Sequence, residues 1–171
     1  MFLKHLAIKY DEKKLISECN SLKFEPFRIT QRELNQDHSN FNEDYNPDSW
    51  FNKTNTWLIH RVRKFSESPE IYRLYEQFTS KLGLIETSIF KQLPNSEVPF
   101  HSDYAKVRCA INFVLSENAE PIVFKDHKSI NYKCALIDIT KKHRVPASKT
   151  ERLLLKFNIF DKEYEDAKQI L

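Results

Sequence analysis

Arg152-Leu-Leu-Leu-Lys-Phe-Asn-Ile159 alternates an apolar set, Leu153, Leu155, Phe157 and Ile159, with a set that holds Arg152, Leu154, Lys156 and Asn158. Successive side chains of a β-strand point to opposite faces, so the stretch reads as a strand with one apolar face and one face bearing charge. Val107-Arg-Cys-Ala-Ile-Asn-Phe-Val114 repeats the pattern, with Val107, Cys109, Ile111 and Phe113 on one face and Arg108, Ala110 and Asn112 on the other. Two arrangements suit such strands. In a sheet open on one side, the apolar faces form the core and the polar faces meet water. In a double-stranded barrel, the apolar faces lie under helices or a second sheet and the polar faces line a pocket. Alternation alone does not choose between them.

Outward from these two strands, β-pattern recurs over Leu84 to Leu93, Pro121 to Phe124 and Cys134 to Ile139, with Thr56 to Val62 as one more. Short strands separated by turn signals such as Leu93-Pro-Asn-Ser96 and Ser116-Glu-Asn118 predict a mainly β sandwich or jelly roll. Helices precede them. Asp11 can cap a helix through about Asn20. Ser68-Pro69 supplies an N-cap and a first-turn proline, Ile71, Leu74, Tyr75, Phe78 and Leu82 follow at helical spacing, and Gly83 stands where a helix stops. Residues 31 to 56, with Asn35, Asn40, Asn42, Asn46, Asn52 and Asn55 and few aliphatics, read as a long loop or lid. Within it Trp50 beside Phe51 makes a substrate-facing pair, whereas Trp57 belongs to the core of its strand. With no repeat and no linker, residues 1–171 form one domain, helical and irregular over about 1–83 and β over about 84–161.

The composition removes several function classes. Hydrophobic residues are 40% and charged residues 30%, with a net charge of +3, so neither disorder nor a polyelectrolyte is indicated. Basic residues are too scattered to favour nucleic acid as a partner, and Lys141, Lys142 and Arg144 read as a solvated segment. Gly83 is the only glycine, which sets aside phosphate loops built on several glycines. Cys19, Cys109 and Cys134 show no metal spacing and leave one thiol unpaired in any disulfide scheme, which points to a reducing, cytoplasmic setting. Cys109 and Cys134 sit among β-formers as buried, inert thiols. No apolar run is long enough for a membrane span. The abundance of Lys, Ile, Asn and Phe is the bias of an AT-rich genome, a viral one among the candidates.

Chemistry concentrates in His101-Ser-Asp103, followed forty-two positions later by His143 and nine further on by Arg152. Six histidines and 24 acidic residues in 171 yield about one such triplet by chance, so its setting decides its meaning. Residues i and i+2 of an extended chain share a face, which brings His101 and Asp103 close enough to share an ion. His143 follows an apolar strand and Arg152 opens the last long one. Two imidazoles and one carboxylate are the set that holds Fe(II) on one side and leaves its other positions open. Taken singly, His143 among lysines and arginine is a surface histidine, and Arg152 after Glu151 is a salt-bridged strand end. His60 and His127 have no partners at ligand spacing and read as structural or exposed.

On Val98-Pro-Phe-His-Ser-Asp103, Val107 to Leu115, and His143-Arg-Val-Pro-Ala-Ser148 with Arg152 to Phe157, the chain resembles the Fe(II)- and 2-oxoglutarate-dependent dioxygenases. It looks most like their aspartyl/asparaginyl and prolyl hydroxylase-like branches. The resemblance implies a double-stranded β-helix (a cupin-like jelly roll), Fe(II) on His101, Asp103 and His143, and Arg152 on the distal carboxylate of 2-oxoglutarate. Arg108 and Asn112 are further candidates for co-substrate or substrate contacts. It also implies O2 as a reactant and hydroxylation of a small molecule or a peptide side chain, with succinate and CO2 released. One departure stands out: many members carry serine two residues after the arginine, where this chain has Leu154, so Thr150, Ser148 or a tyrosine must supply the hydroxyl. Two other functions remain compatible with the residues. One is a cupin-like metalloprotein that does not use 2-oxoglutarate, and the other is a non-enzymatic jelly-roll binding module.

Overall fold

The computed structural model describes residues 1–27, 55–103 and 106–171. Among these residues, two antiparallel sheets face each other. The larger runs β1 (Leu3–His5), β9 (Cys134–Ile137), β6 (Cys109–Val114), β11 (Arg152–Ile159), β4 (Ile85–Gln92), β3 (Trp57–Val62) and β2 (Glu25–Pro26). The smaller runs β5 (Val98–His101), β10 (His143–Val145), β7 (Ile122–Phe124) and β8 (Ser129–Ile130). The expected jelly roll is therefore the architecture; β3, β4, β6, β7, β9 and β11 fall within the predicted ranges, whereas β1, β2, β5, β8 and β10 have no predicted counterpart.

The two alternating strands explain the layering. β6 and β11 are neighbours at the centre of the large sheet, in a register that sets Phe113 opposite Leu155 and Ile111 opposite Phe157. Their apolar faces lie under three helices: α1 (Glu12–Ser21), α2 (Pro69–Leu82) and α3 (Tyr164–Ile170). Phe78 of α2 meets the ring of Phe157 at 5.2 Å and that of Phe113 at 6.2 Å. The helices thus consume the apolar face, and the face with Asn112, Arg152, Lys156 and Asn158 turns toward the small sheet. Between the sheets, one apolar patch includes Leu3, Ile122, Phe124 and Ile137, and another includes Trp57, Phe90, Val98 and Leu154. Of the two arrangements compatible with the alternation, the barrel is the one formed. Val107 departs from its predicted face because it precedes β6, and it packs with Ala110 in the inter-sheet core.

Helix ends follow local chemistry with one substitution of roles. Asp11 accepts the Lys14 N–H at 3.0 Å and caps α1. Ser68 precedes α2 as expected, but its side chain makes no capping bond. Instead Glu18, buried in α1, accepts the N–H groups of Glu70 at 2.9 Å and Ile71 at 3.0 Å. A carboxylate at a helix N-terminus meets both unpaired N–H groups and the positive end of the dipole. The segment before residue 84 supplies β1, β2 and β3 to the large sheet, of which only β3 carries a sequence pattern long enough to read. The predicted lid, with Trp50 and Phe51, lies outside the described residues up to position 54. Among the described residues no helix is long and apolar enough to cross a membrane.

Candidate metal centre

Strand pairing brings the two histidines together. His101 ends β5, His143 opens β10, and the two are cross-strand partners, with ring centroids 4.5 Å apart. Asp103 follows β5, and its N–H bonds Ile139 O at 2.9 Å, which holds the turn against the segment after β9. Oδ1 of Asp103 then lies 3.4 Å from Nε2 of His101 and 3.5 Å from Nε2 of His143. Two donors about 2.1 Å from one ion at right angles lie about 3 Å apart, so the three atoms fit one face of a metal.

The outer contacts prepare these atoms for a cation. Nδ1 of His101 bonds Pro99 O and Nδ1 of His143 bonds Lys141 O, both at 2.8 Å. A carbonyl only accepts, so each Nδ1 carries a proton, and Nε2 is the ring atom turned toward Asp103. Burial, with His101 alongside, pushes His143 down to about 4, leaving its imidazole neutral at pH 7. Burial of Asp103 opposes its charge, but the Lys156 ammonium and the two imidazoles outweigh it and hold the carboxyl below the usual carboxylate range. The donor set therefore fits a divalent transition metal.

A cavity of about 260 Å³ opens from these ligands between the sheets, and Arg152, Tyr132, Asn112 and Lys156 line it. Arg152 is 2% exposed. Its Nη1 donates to Glu120 O at 2.5 Å and its Nη2 to the Tyr132 hydroxyl at 3.2 Å, while buried Nε has no partner among the described residues. Nor does any described carboxylate lie within ion-pair distance of it. Glu151, its neighbour in sequence, pairs with Lys91 at 3.5 Å, so the salt-bridged strand end does not describe Arg152. A buried guanidinium without a counter-ion is costly unless an anion joins it. Asn112 Nδ2 also donates to the Tyr132 oxygen, at 3.3 Å, and the tyrosine's own proton stays available to an acceptor in the cavity.

Not every predicted residue arrives. Arg108 is exposed and pairs with Glu163 at 3.3 Å, away from the cavity, because it precedes β6 and falls outside that strand's alternation. Ser148 and Thr150 bond each other at 3.2 Å and do not line the cavity; Tyr132 is the hydroxyl beside Arg152. His60 bonds Lys23 O, and exposed His127 stands edge-on to Phe2. Two residues are not singled out by number for a role in the sequence, although a tyrosine is among the candidate hydroxyls. Tyr132 lies between strands, without periodicity. Lys156 reads as one polar residue of a strand, yet its ammonium bonds Oδ2 of Asp103.

No protein-family model matches the sequence, and no curated protein matches it. Solved structures resemble it in fold. A Pseudomonas putida prolyl-4-hydroxylase is 12% identical with a TM-score of 0.58, over 94% of this chain and 91% of that one. A 2OG-Fe(II) oxygenase family oxidoreductase from Burkholderia pseudomallei is 15% identical with a TM-score of 0.49, over 63% and 69%. A viral collagen prolyl hydroxylase from Paramecium Bursaria Chlorella virus-1, in complex with 2OG, is 9% identical with a TM-score of 0.49, over 63% and 81%. The chain thus shares a mainly β jelly-roll fold with the Pseudomonas putida enzyme across nearly its whole length.

Proposed function

We propose that this protein is an Fe(II)- and 2-oxoglutarate-dependent oxygenase that hydroxylates a C–H bond of a small molecule or a peptide side chain. The observation that carries the reading is Arg152, a buried cation without a carboxylate partner among the described residues, in the same cavity as the His101, Asp103 and His143 cluster. It stands four residues along β11 from Lys156, about 13 Å of strand. An arginine side chain and a five-carbon diacid together bridge such a span.

Each residue has a task in that reaction. His101 and His143 would hold the metal through Nε2, oriented by the carbonyls behind them, and Asp103 would hold it through Oδ1. Arg152 would bind the distal carboxylate of 2-oxoglutarate through its guanidinium by a charge-assisted hydrogen bond. Tyr132 adds its hydroxyl, in the role left open at Leu154, and Asn112 fixes the tyrosine. Val98, Leu154 and Trp57 supply apolar walls that keep water from the reacting groups. When bound, Fe(II) lets O2 and 2-oxoglutarate react so that one oxygen atom enters succinate, the other enters the substrate as hydroxyl, and CO2 leaves. The three unpaired thiols favour the cytoplasm as its setting.

The test is anaerobic addition of Fe(II) and 2-oxoglutarate. A visible charge-transfer band should appear in the native protein and be lost in His101→Ala. A native protein without the band, or a variant that keeps it, overturns the assignment.

A further inference from the structure

We propose that Lys156 is a positioning residue of the metal centre, whose ammonium holds Oδ2 of Asp103 so that the carboxylate offers a metal only Oδ1. This rests on the metal reading of the His101, Asp103 and His143 cluster. The two oxygens of Asp103 face opposite tasks: Oδ1 lies between the two Nε2 atoms, at 3.4 and 3.5 Å, while Oδ2 takes the lysine. Lys156 has little other use at its position. It is 9% exposed, and its cross-strand neighbours are Ser88 and Asn112, neither of them a carboxylate. Its stem must cross from the large sheet to the turn after β5 of the small one. Facing sheets stand about 10 Å apart, a gap that the lysine stem, the hydrogen bond and the aspartate side chain close together.

The arrangement has a consequence for coordination. Three protein donors on one face of an octahedral ion leave three open positions, which a keto acid binding through two atoms and O2 would fill. A carboxylate that chelated through both oxygens would remove one of them. Lys156 prevents this by occupying the second oxygen with a charge-assisted hydrogen bond. The same ammonium draws charge from the carboxylate and repels a metal ion, so it weakens metal binding in return for an open site.

The experiment uses Co(II) with the full chain and no co-substrate. Co(II) affinity is measured by competition with a chelator in the native protein, Lys156→Met and Lys156→Arg. Infrared difference spectra of aspartate-labelled protein, with and without Co(II), report the separation of the two carboxylate stretches, wide for one-oxygen and narrow for two-oxygen ligation. Lys156→Met should bind Co(II) about 10- to 100-fold more tightly, on the scale of outer-shell effects on metal sites, with a narrowed separation. Lys156→Arg should keep the native values. Unchanged affinity and separation in Lys156→Met overturn the proposal, as does loss of Co(II) binding in that variant to the extent seen in His101→Ala. A native protein that binds no Co(II) overturns the metal reading itself, and this inference with it.

Discussion

The guanidinium of Arg152 donates to the hydroxyl of Tyr132 at 3.2 Å, joining the first residue of β11 to the segment between β8 and β9 inside the cavity. Neither group is satisfied by the other, since among the described residues Arg152 Nε lacks a partner and the tyrosine proton is unspent. Calorimetry on the Fe(II)-loaded protein under nitrogen should therefore separate them. Arg152→Ala should weaken 2-oxoglutarate about 10- to 100-fold, the value of a charged hydrogen bond, and Tyr132→Phe about 3- to 10-fold. Metal affinity should change in neither. Undiminished 2-oxoglutarate affinity in Arg152→Ala means that another residue anchors the co-substrate.

Glu18 should matter more to stability than Ser68. Glu18 caps α2 from α1 through the N–H groups of Glu70 and Ile71, whereas the Ser68 side chain makes no capping bond. Urea titration should show Glu18→Ala destabilised by about 1–3 kcal/mol and Ser68→Ala by less than about 0.5 kcal/mol. The reverse order would mean that the serine, not the distant carboxylate, caps the helix.

Gly83 is required by backbone and by space. Its φ is +83°, and a Cβ there would lie 2.5 Å from Oδ2 of Asp161, the oxygen that accepts the Leu84 N–H at 2.7 Å. Gly83→Ala should lose about 1–3 kcal/mol of unfolding free energy in the same titration. A neutral result would show that the turn rearranges freely.

The three thiols predict an alkaline limit. Burial pushes Cys19, Cys109 and Cys134 each up to about 12 from an ordinary value of 9.0. The folded state holds these protons after the unfolded chain has lost them, so their contribution is full below pH 9 and fades as pH rises toward 12. Each thiol should lower stability by about 1.4 kcal/mol per pH unit in that window. A thiol reagent at pH 8 should label none of the three in the native protein and all three after unfolding. Rapid native labelling of any one would contradict its burial.

Most strand and helix positions follow from local pattern. The alternation over Arg152 to Ile159, the Asp11 cap and the stop at Gly83 each involve residues within a turn or a strand of one another, and spacing alone makes them legible. His101, Asp103 and His143 are legible as residue types in a set order, but β5 and β10, which pair to bring the two histidines together, carry no strand pattern in the sequence. Relations between elements far apart in the chain are another matter. Asp103 meets Lys156 across 53 positions, and Glu18 reaches Glu70 across 52. Arg108 shows the converse, since one residue of offset from β6 moves it from the expected cavity to Glu163.

Periodicity in the chain establishes that β6 and β11 have two unlike faces, and it names the residues on each. It does not say which face is inside. That depends on α1, α2 and α3 covering the apolar side, which leaves charged and amide groups to face the small sheet and makes a polar surface into the lining of a cavity. The order of residues along a strand is a local property, whereas burial of a face is set by whatever packs against the opposite one.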